Sequence, residues 1–523
     1  MRFSVNFGDA DLQQYAIAAS LIISGICTII NCVQLPIPGT KFVLGTGVLS
    51  VLGTSFGFLP VFEAGIAAMR ADGVDPEDAY GKMLGTVMVC CFVEIFLAFV
   101  PKDALRKAFP PLVTGIAMML IGAGLTGTGM KYWGGGAVCA DMNWKNHQDT
   151  RGGWQPAYDL VGFGTLRDEN GTDTGIAKIS PFPGDSCGGK TCCKAGDVLL
   201  PFGSPEFIGL GFSVVCMLVI IELFGSPFMK NCNVIMALLF GYFVAGISEK
   251  CEGSTCASYV VDDKIESAEA ITFLWVKTFK LGFYGPAVFP LIIAFIVTTL
   301  ETIGDIGAVY DASEEDTESE EFDKSVQGGL LSDGVCSFFS AIATGMPNTT
   351  FSQNNGVIAL TKCASRRAGT AAGIWLMFFG ILAKVSGIIS SIPDSVVGGM
   401  TTFLFCNVFV SGLKVVAQSD LNSRRNRMTL ALSMGLGLGV AMVPSVVGDY
   451  RDSYGTTAFW PCRGAFRDGA VCSDSERAIR DGVVIFLGTP YCIGTVVAII
   501  MNLILPKDME IVRADPPAEA GKA

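Results

Sequence analysis

The residues of this chain that could do chemistry sit in polar clusters set into apolar sequence. The densest is Phe351-Ser352-Gln353-Asn354-Asn355-Gly356, followed by Thr361-Lys362. A second, Glu301-Thr302-Ile303-Gly304-Asp305, ends an apolar run. Glu301 and Asp305 are four apart, so a helix places both on one face. A third is Gly53-Thr54-Ser55-Phe56-Gly57, and Asp333 within Gly328–Gly334 adds another carboxylate. Polar and ionisable groups at membrane depth are expensive, which makes each a functional candidate. Glu94 and Glu222 read instead as structural partners of small polar groups.

These groups suit a flat, polar, neutral or weakly acidic ring. The Gln353 carboxamide offers one acceptor and two donors and can pair with a lactam edge. Glu301 can accept from ring N–H groups, and Phe56 can stack on the ring face. Backbone N–H groups of a broken helix can bond ring carbonyls. Asp305 and Asp333 remain to carry a coupling proton. No cofactor or metal is expected.

The elements that position these residues must lie in a membrane. Half of the 523 residues are hydrophobic and only 16% are charged, where soluble proteins carry about 25%; the mean hydropathy is +0.50. The apolar residues form runs of about 18–25, long enough to span a bilayer as helices. The net charge of -12 lies largely in loops, and no basic stripe suggests nucleic acid. The runs predict 13 crossings: 13–34, 43–62, 82–101, 108–128, 207–224, 229–247, 286–307, 326–345, 350–361, 368–389, 393–415, 427–447 and 482–505. Lys102, Arg106 and Lys107, then Lys362, Arg366 and Arg367, then Arg424, Arg425 and Arg427 mark three loops on one face. Positive loops are cytoplasmic, which also puts the tail 506–523 inside. The acidic run Glu314–Asp323 on that side reads as a solvated linker.

Eight of the 18 cysteines fall in the expected external loops: Cys139, Cys187, Cys192, Cys193, Cys251, Cys256, Cys462 and Cys472. An even external set suggests disulfides, with Cys462–Cys472 and Cys251–Cys256 the most economical pairs. Zinc is the weaker reading, since the only histidine, His147, stands apart. Asn170-Gly171-Thr172 in the same long loop is a glycosylation sequon.

Two segments are broken. One is 43–62, with Gly45, Gly47, Gly53, Gly57 and Pro60; the other is 350–361, too short to span. Paired broken segments at matching places in two halves point to a transporter site. They match here, each third in its half, only if one helix precedes residue 1. A missing first helix is therefore expected.

Gln353-Asn354-Asn355-Gly356-Val357-Ile358-Ala359-Leu360-Thr361-Lys362 resembles the signature of the nucleobase–ascorbate transporter family, above all its fungal uric acid–xanthine branch. The similarity runs from about residue 12 to Pro506 and includes Phe109–Gly115, Trp133–Gly136 and Gln327–Gly334. The resemblance implies an all-α polytopic membrane protein of 14 helices, seven plus seven in inverted repeat. It implies a core domain moving elevator-like against a gate domain that forms a homodimer in membrane lipid. It places the purine on Glu301 and Gln353. Phe56 stacks, Ser55 and Ser352 add backbone contacts, and Asn354 shapes the site. Asp305 and Asp333 support proton coupling or core geometry; Gly356, Thr361 and Lys362 complete the signature, and Thr489 and Tyr491 form a selectivity gate. The expected organisation is then 1–128 (helices 2–5), the external loop 129–206, 207–247 (helices 6–7), 286–415 (helices 8–12), 427–505 (helices 13–14) and the tail.

Departures are the absent first helix with its Gln-His pair, Lys362 where the fungal members usually have Arg, and Tyr491 where they often have Phe. The alternatives are a pyrimidine or ascorbate carrier and a non-transporting receptor or sensor. A membrane-embedded enzyme is disfavoured, because no histidine is available at membrane depth. Gly435-Leu436-Gly437-Leu438-Gly439 reads as helix packing.

Overall fold

The protein is described from a computed structural model, over residues 10–101, 109–136, 165–443 and 474–506 with short interruptions. Helices dominate these residues. The first half holds α1 (Ala10–Val33), α2 (Leu59–Ala71), α3 (Pro76–Cys90), α4 (Phe92–Leu97), α5 (Pro111–Trp133), α6 (Pro205–Phe224) and α7 (Asn233–Ile247). The second holds α8 (Val288–Ala312), α9 (Glu320–Ile342), α10 (Arg366–Ile381), α11 (Ala383–Ser391), α12 (Asp394–Val416), α13 (Arg424–Met442), α14 (Asp474–Gly488) and α15 (Pro490–Ile504). Among the described residues, six spans are long and apolar enough to cross a membrane, or eight if each of two bent pairs counts as one.

The halves repeat one plan. As α1 packs along α10, so α9 packs along α3 and α4. As α5 meets α13, so α12 meets α6; as α6 meets α7, so α13 meets α15. The repeats interlock where α5 and α12 cross antiparallel. Gly115, Gly122 and Gly129 recur every seven residues on α5 and face the backbone of Val416, Phe409 and Thr402 on α12. Small residues at such a seam let two helix backbones touch, which replaces the hydrophobic drive that lipid removes. The expected inverted repeat is thus visible in the packing. Among the described residues, no first-half helix stands where α8 stands in the second.

Residues 43–62 form a broken segment, as expected, and the structure shows its parts. They make turns, a strand β1 (Leu52–Thr54) and a 3-10 turn (Phe56–Phe58), and the helix α2 begins only at Leu59. Closely spaced glycines and Pro60 explain why the helix starts late. One expectation needs correction: the crossings read at 368–389 and 482–505 are bent by 80° and 81°. At the second bend Pro490 opens α15 at its first helical position. At the first, the Ile381 carbonyl accepts from the Thr272 backbone N–H, 3.0 Å, so a loop takes over the bond that the helix gives up.

Outside the helices, the strands Glu249–Glu252 and Thr255–Ser258 pair with Cys251 directly opposite Cys256. Cys193 is disulfide-bonded. The ten cysteines assigned to apolar runs and their flanks are all free. Cys139, Cys462, Cys472, His147 and the Asn170 sequon lie outside the described residues.

Candidate substrate-binding site

The site begins where the repeats meet in mid-protein. β1 pairs antiparallel with β2 (Asn348–Thr350), with Asn348 opposite Thr54 and Thr350 opposite Leu52. Ser55 N–H donates to the Pro347 carbonyl at 2.9 Å and Phe351 N–H to the Val51 carbonyl at 3.1 Å, extending the ladder at both ends. Extended backbone inside a membrane protein is tolerated only where its polar groups find partners within the protein. Here each strand satisfies the other. β1 then turns into the 3-10 segment Phe56–Phe58. Ser55 caps it, accepting from Gly57 N–H at 3.2 Å.

Behind the strands stands a carboxylate–hydroxyl network. Asp333 on α9 accepts from the Thr302 hydroxyl of α8 and from the Thr349 hydroxyl of β2 at 3.4 Å. Asp305 accepts from the Thr350 hydroxyl at 3.3 Å. All five residues are buried. They tie α8, α9 and β2 into one unit.

In front of the strands a narrow cavity of about 20 Å³ lies between two bodies. Phe56, Gly57, Glu301, Thr349 and Phe351 line one side, carried by the strands and α8. Met118 and Ile121 from α5 and Val408 from α12 line the other. Phe56 also meets Phe405 of α12 edge-on, with ring centroids 5.2 Å apart. The cavity lining thus combines a carboxylate, a hydroxyl, two aromatic rings and an apolar wall.

The expected site residues divide in the structure. Phe56 and Glu301 reach the cavity, and Ser55 shapes its floor through the cap. Asp305 and Asp333 lie in the network behind it. Asn354 donates from its amide to the Val51 carbonyl at 3.5 Å, fastening the second half's segment to the first half's strand. Thr361 accepts from Cys363 N–H at 3.3 Å, and Lys362 takes a left-handed φ of 55°; both stand at the far end of the signature segment. Ser352, Gln353 and Gly356 lie outside the described residues. Thr489 and Tyr491 are buried at the α14–α15 bend and do not line the cavity.

Sequence reasoning missed Thr349, Phe351, Met118, Ile121 and Val408 as lining residues. Phe351 carried a signal: a Cβ on Gly53 would strike its ring, so this glycine exists to admit it. The three aliphatic residues carried none, since they look like any other lipid-span residue.

A family model described as "Permease family" matches residues 4–149 and 185–446. The uric acid-xanthine permease of Emericella nidulans is 36% identical over 522 residues, covering 97% of this chain and 78% of that protein. A purine permease of the same organism is 34% identical, covering 98% and 79%. A xanthine permease of Escherichia coli is 28% identical, covering 83% and 78%. The resemblance read from the signature is borne out along the chain's length. With its apolar spans, its interlocked repeats and the cavity between them, the chain belongs to the Permease family and is a multi-pass membrane transporter.

Proposed function

We propose that this chain carries oxidised purines, xanthine or uric acid, across the plasma membrane by proton symport. The observation that carries this reading is the cavity at the strand crossing. There the Glu301 carboxylate, the Thr349 hydroxyl and the Phe56 ring face one space. Glu301 accepts from ring N–H groups, Phe56 stacks, and Gln353 pairs with the lactam edge. The names of the relatives support a purine as cargo.

The two walls of the cavity belong to different bodies. One consists of α1–α4 with α8–α11 and both strands; the other consists of α5–α7 with α12–α15. A site whose polar face rides on one body and whose apolar face rides on the other suits an elevator-like cycle, in which the first slides along the second. The second body would also dimerise, and the basic loops would face the cytoplasm with the C-terminal tail. Coupling to protons fits a buried Asp333 carboxylate that accepts from hydroxyls.

Competition against labelled xanthine uptake in a cell without its own purine carriers tests the substrate class. Xanthine and uric acid should compete, and uracil and ascorbate should not. Displacement by ascorbate or uracil but not by uric acid would overturn the assignment.

A further inference from the structure

Phe405 reaches the cavity only through another residue. It is fully buried on α12 and does not line the cavity itself. Its ring meets that of Phe56 edge-on, with centroids 5.2 Å apart and the planes at 83°. Such a pair is attractive because the positive edge of one ring meets the negative face of the other. Phe56 is half-buried and lines the cavity. The contact with Phe405 therefore bears on how the Phe56 ring is presented to whatever enters.

The two rings are anchored to different bodies. Phe56 opens the 3-10 turn after β1. Two residues on, Phe58 is fully buried and packs edge-on against Phe295 of α8, with centroids 4.7 Å apart. Phe58 thus holds the turn to its own body, and Phe56 reaches across to the other. Phe405 is held by that other body. It shares one face of α12 with Thr402 and Phe409, which stand three positions before it and four after it. Their backbones face Gly129 and Gly122 of α5. Phe405 sits between these two close approaches, so it cannot shift far without parting α5 from α12. Val408, about one turn on, lines the cavity. Among the described residues one other ring pair joins the two bodies, Phe289 of α8 with Phe486 of α14, with centroids 4.9 Å apart. That pair lines a separate apolar cleft that shares no residue with the cavity.

We propose that Phe405 is a positioning residue for the cargo. It orients the Phe56 ring for stacking while the two bodies stand as they do here, and it must release that ring when one body slides along the other. Affinity for the cargo is thereby tied to the position of the bodies. The proposal deepens the reading of the cavity as a purine site and rests on it.

The test measures binding of labelled xanthine to the purified full chain, together with its melting temperature. Phe405→Leu should weaken binding by about 2- to 10-fold, the range of one edge-to-face pair. In a Phe56→Leu background the same change should add no further loss, because no ring is left to orient. Phe405→Met should bind better than Phe405→Leu, since a thioether also attracts an aromatic ring. Phe486→Leu breaks the ring pair away from the cavity and should bind xanthine as the unaltered chain does. A merely structural Phe405 would lower the melting temperature and leave the affinity of the folded protein unchanged, and that result would overturn the proposal. So would a further loss of equal size in the Phe56→Leu background, or an equal loss in Phe486→Leu. If the unaltered chain binds no xanthine, or Phe56→Leu binds it undiminished, the cavity is not the purine site and the proposal falls with that reading.

Discussion

Glu301 and Phe56 reach one cavity from opposite halves of the sequence, 245 positions apart, and their side chains decide what it can hold. Gln353 belongs to the same chemistry through the signature. On the proposed reading, removing its amide in Gln353→Ala leaves the lactam edge of the purine unpaired. An unmade buried hydrogen bond costs about 1–3 kcal/mol, which is roughly 5- to 150-fold in apparent affinity. Gln353→Glu loses both donors when ionised and should weaken binding as well. Surface expression and uptake measured together separate this from a packing role, which would instead leave the protein inside the cell with selectivity unchanged. Gly53 gives a second residue-scale prediction. In Gly53→Ala the new methyl group meets the Phe351 ring, and overpacking of this kind costs about 1–3 kcal/mol. Xanthine affinity should fall, and adding Phe351→Leu should recover part of it. An unchanged affinity in Gly53→Ala would show that the ring's position does not matter.

The elements were unevenly legible. Long apolar runs such as 108–128 and 393–415 announce helices by length alone, and α5 and α12 match them within a few residues. β1 and β2 were not legible as strands. Each is three residues long and lies within a glycine- or threonine-rich stretch, where no alternation can build up; only the partner strand from the other repeat makes either one stable. The site acids were legible because buried charge is rare in a span. The apolar wall of Met118, Ile121 and Val408 was not, because its residues differ from lipid-facing ones only in what they touch. The seven-residue glycine spacing on α5 was visible in the sequence, but not the helix that it faces. That spacing makes a prediction. Gly122 approaches the Phe409 backbone, whereas a Cβ on Gly127 would meet nothing within 4 Å. Alanine is favoured over glycine in a helix by about 1 kcal/mol, so Gly127→Ala should be neutral or stabilising. Gly122→Ala should lower the melting temperature of the detergent-solubilised protein. Equal behaviour of the two variants would contradict a close α5–α12 seam.

At the scale of the whole molecule, two bodies meet along a seam, with the cavity proposed for the cargo between them. The Glu301 and Phe56 wall is fixed to the strand-crossing body through the Asp333 and Asp305 network. Movement of that body therefore carries the polar half of the site with it. The most direct measurement is uptake of labelled xanthine into vesicles that contain only this protein and lipid, with the exterior pH lowered from about 8 to about 5.5 and the interior held constant. The account predicts accumulation above the external concentration that grows as the exterior becomes more acid and collapses when a protonophore is added. Binding without entry, or accumulation driven by a sodium gradient and indifferent to pH, would contradict it.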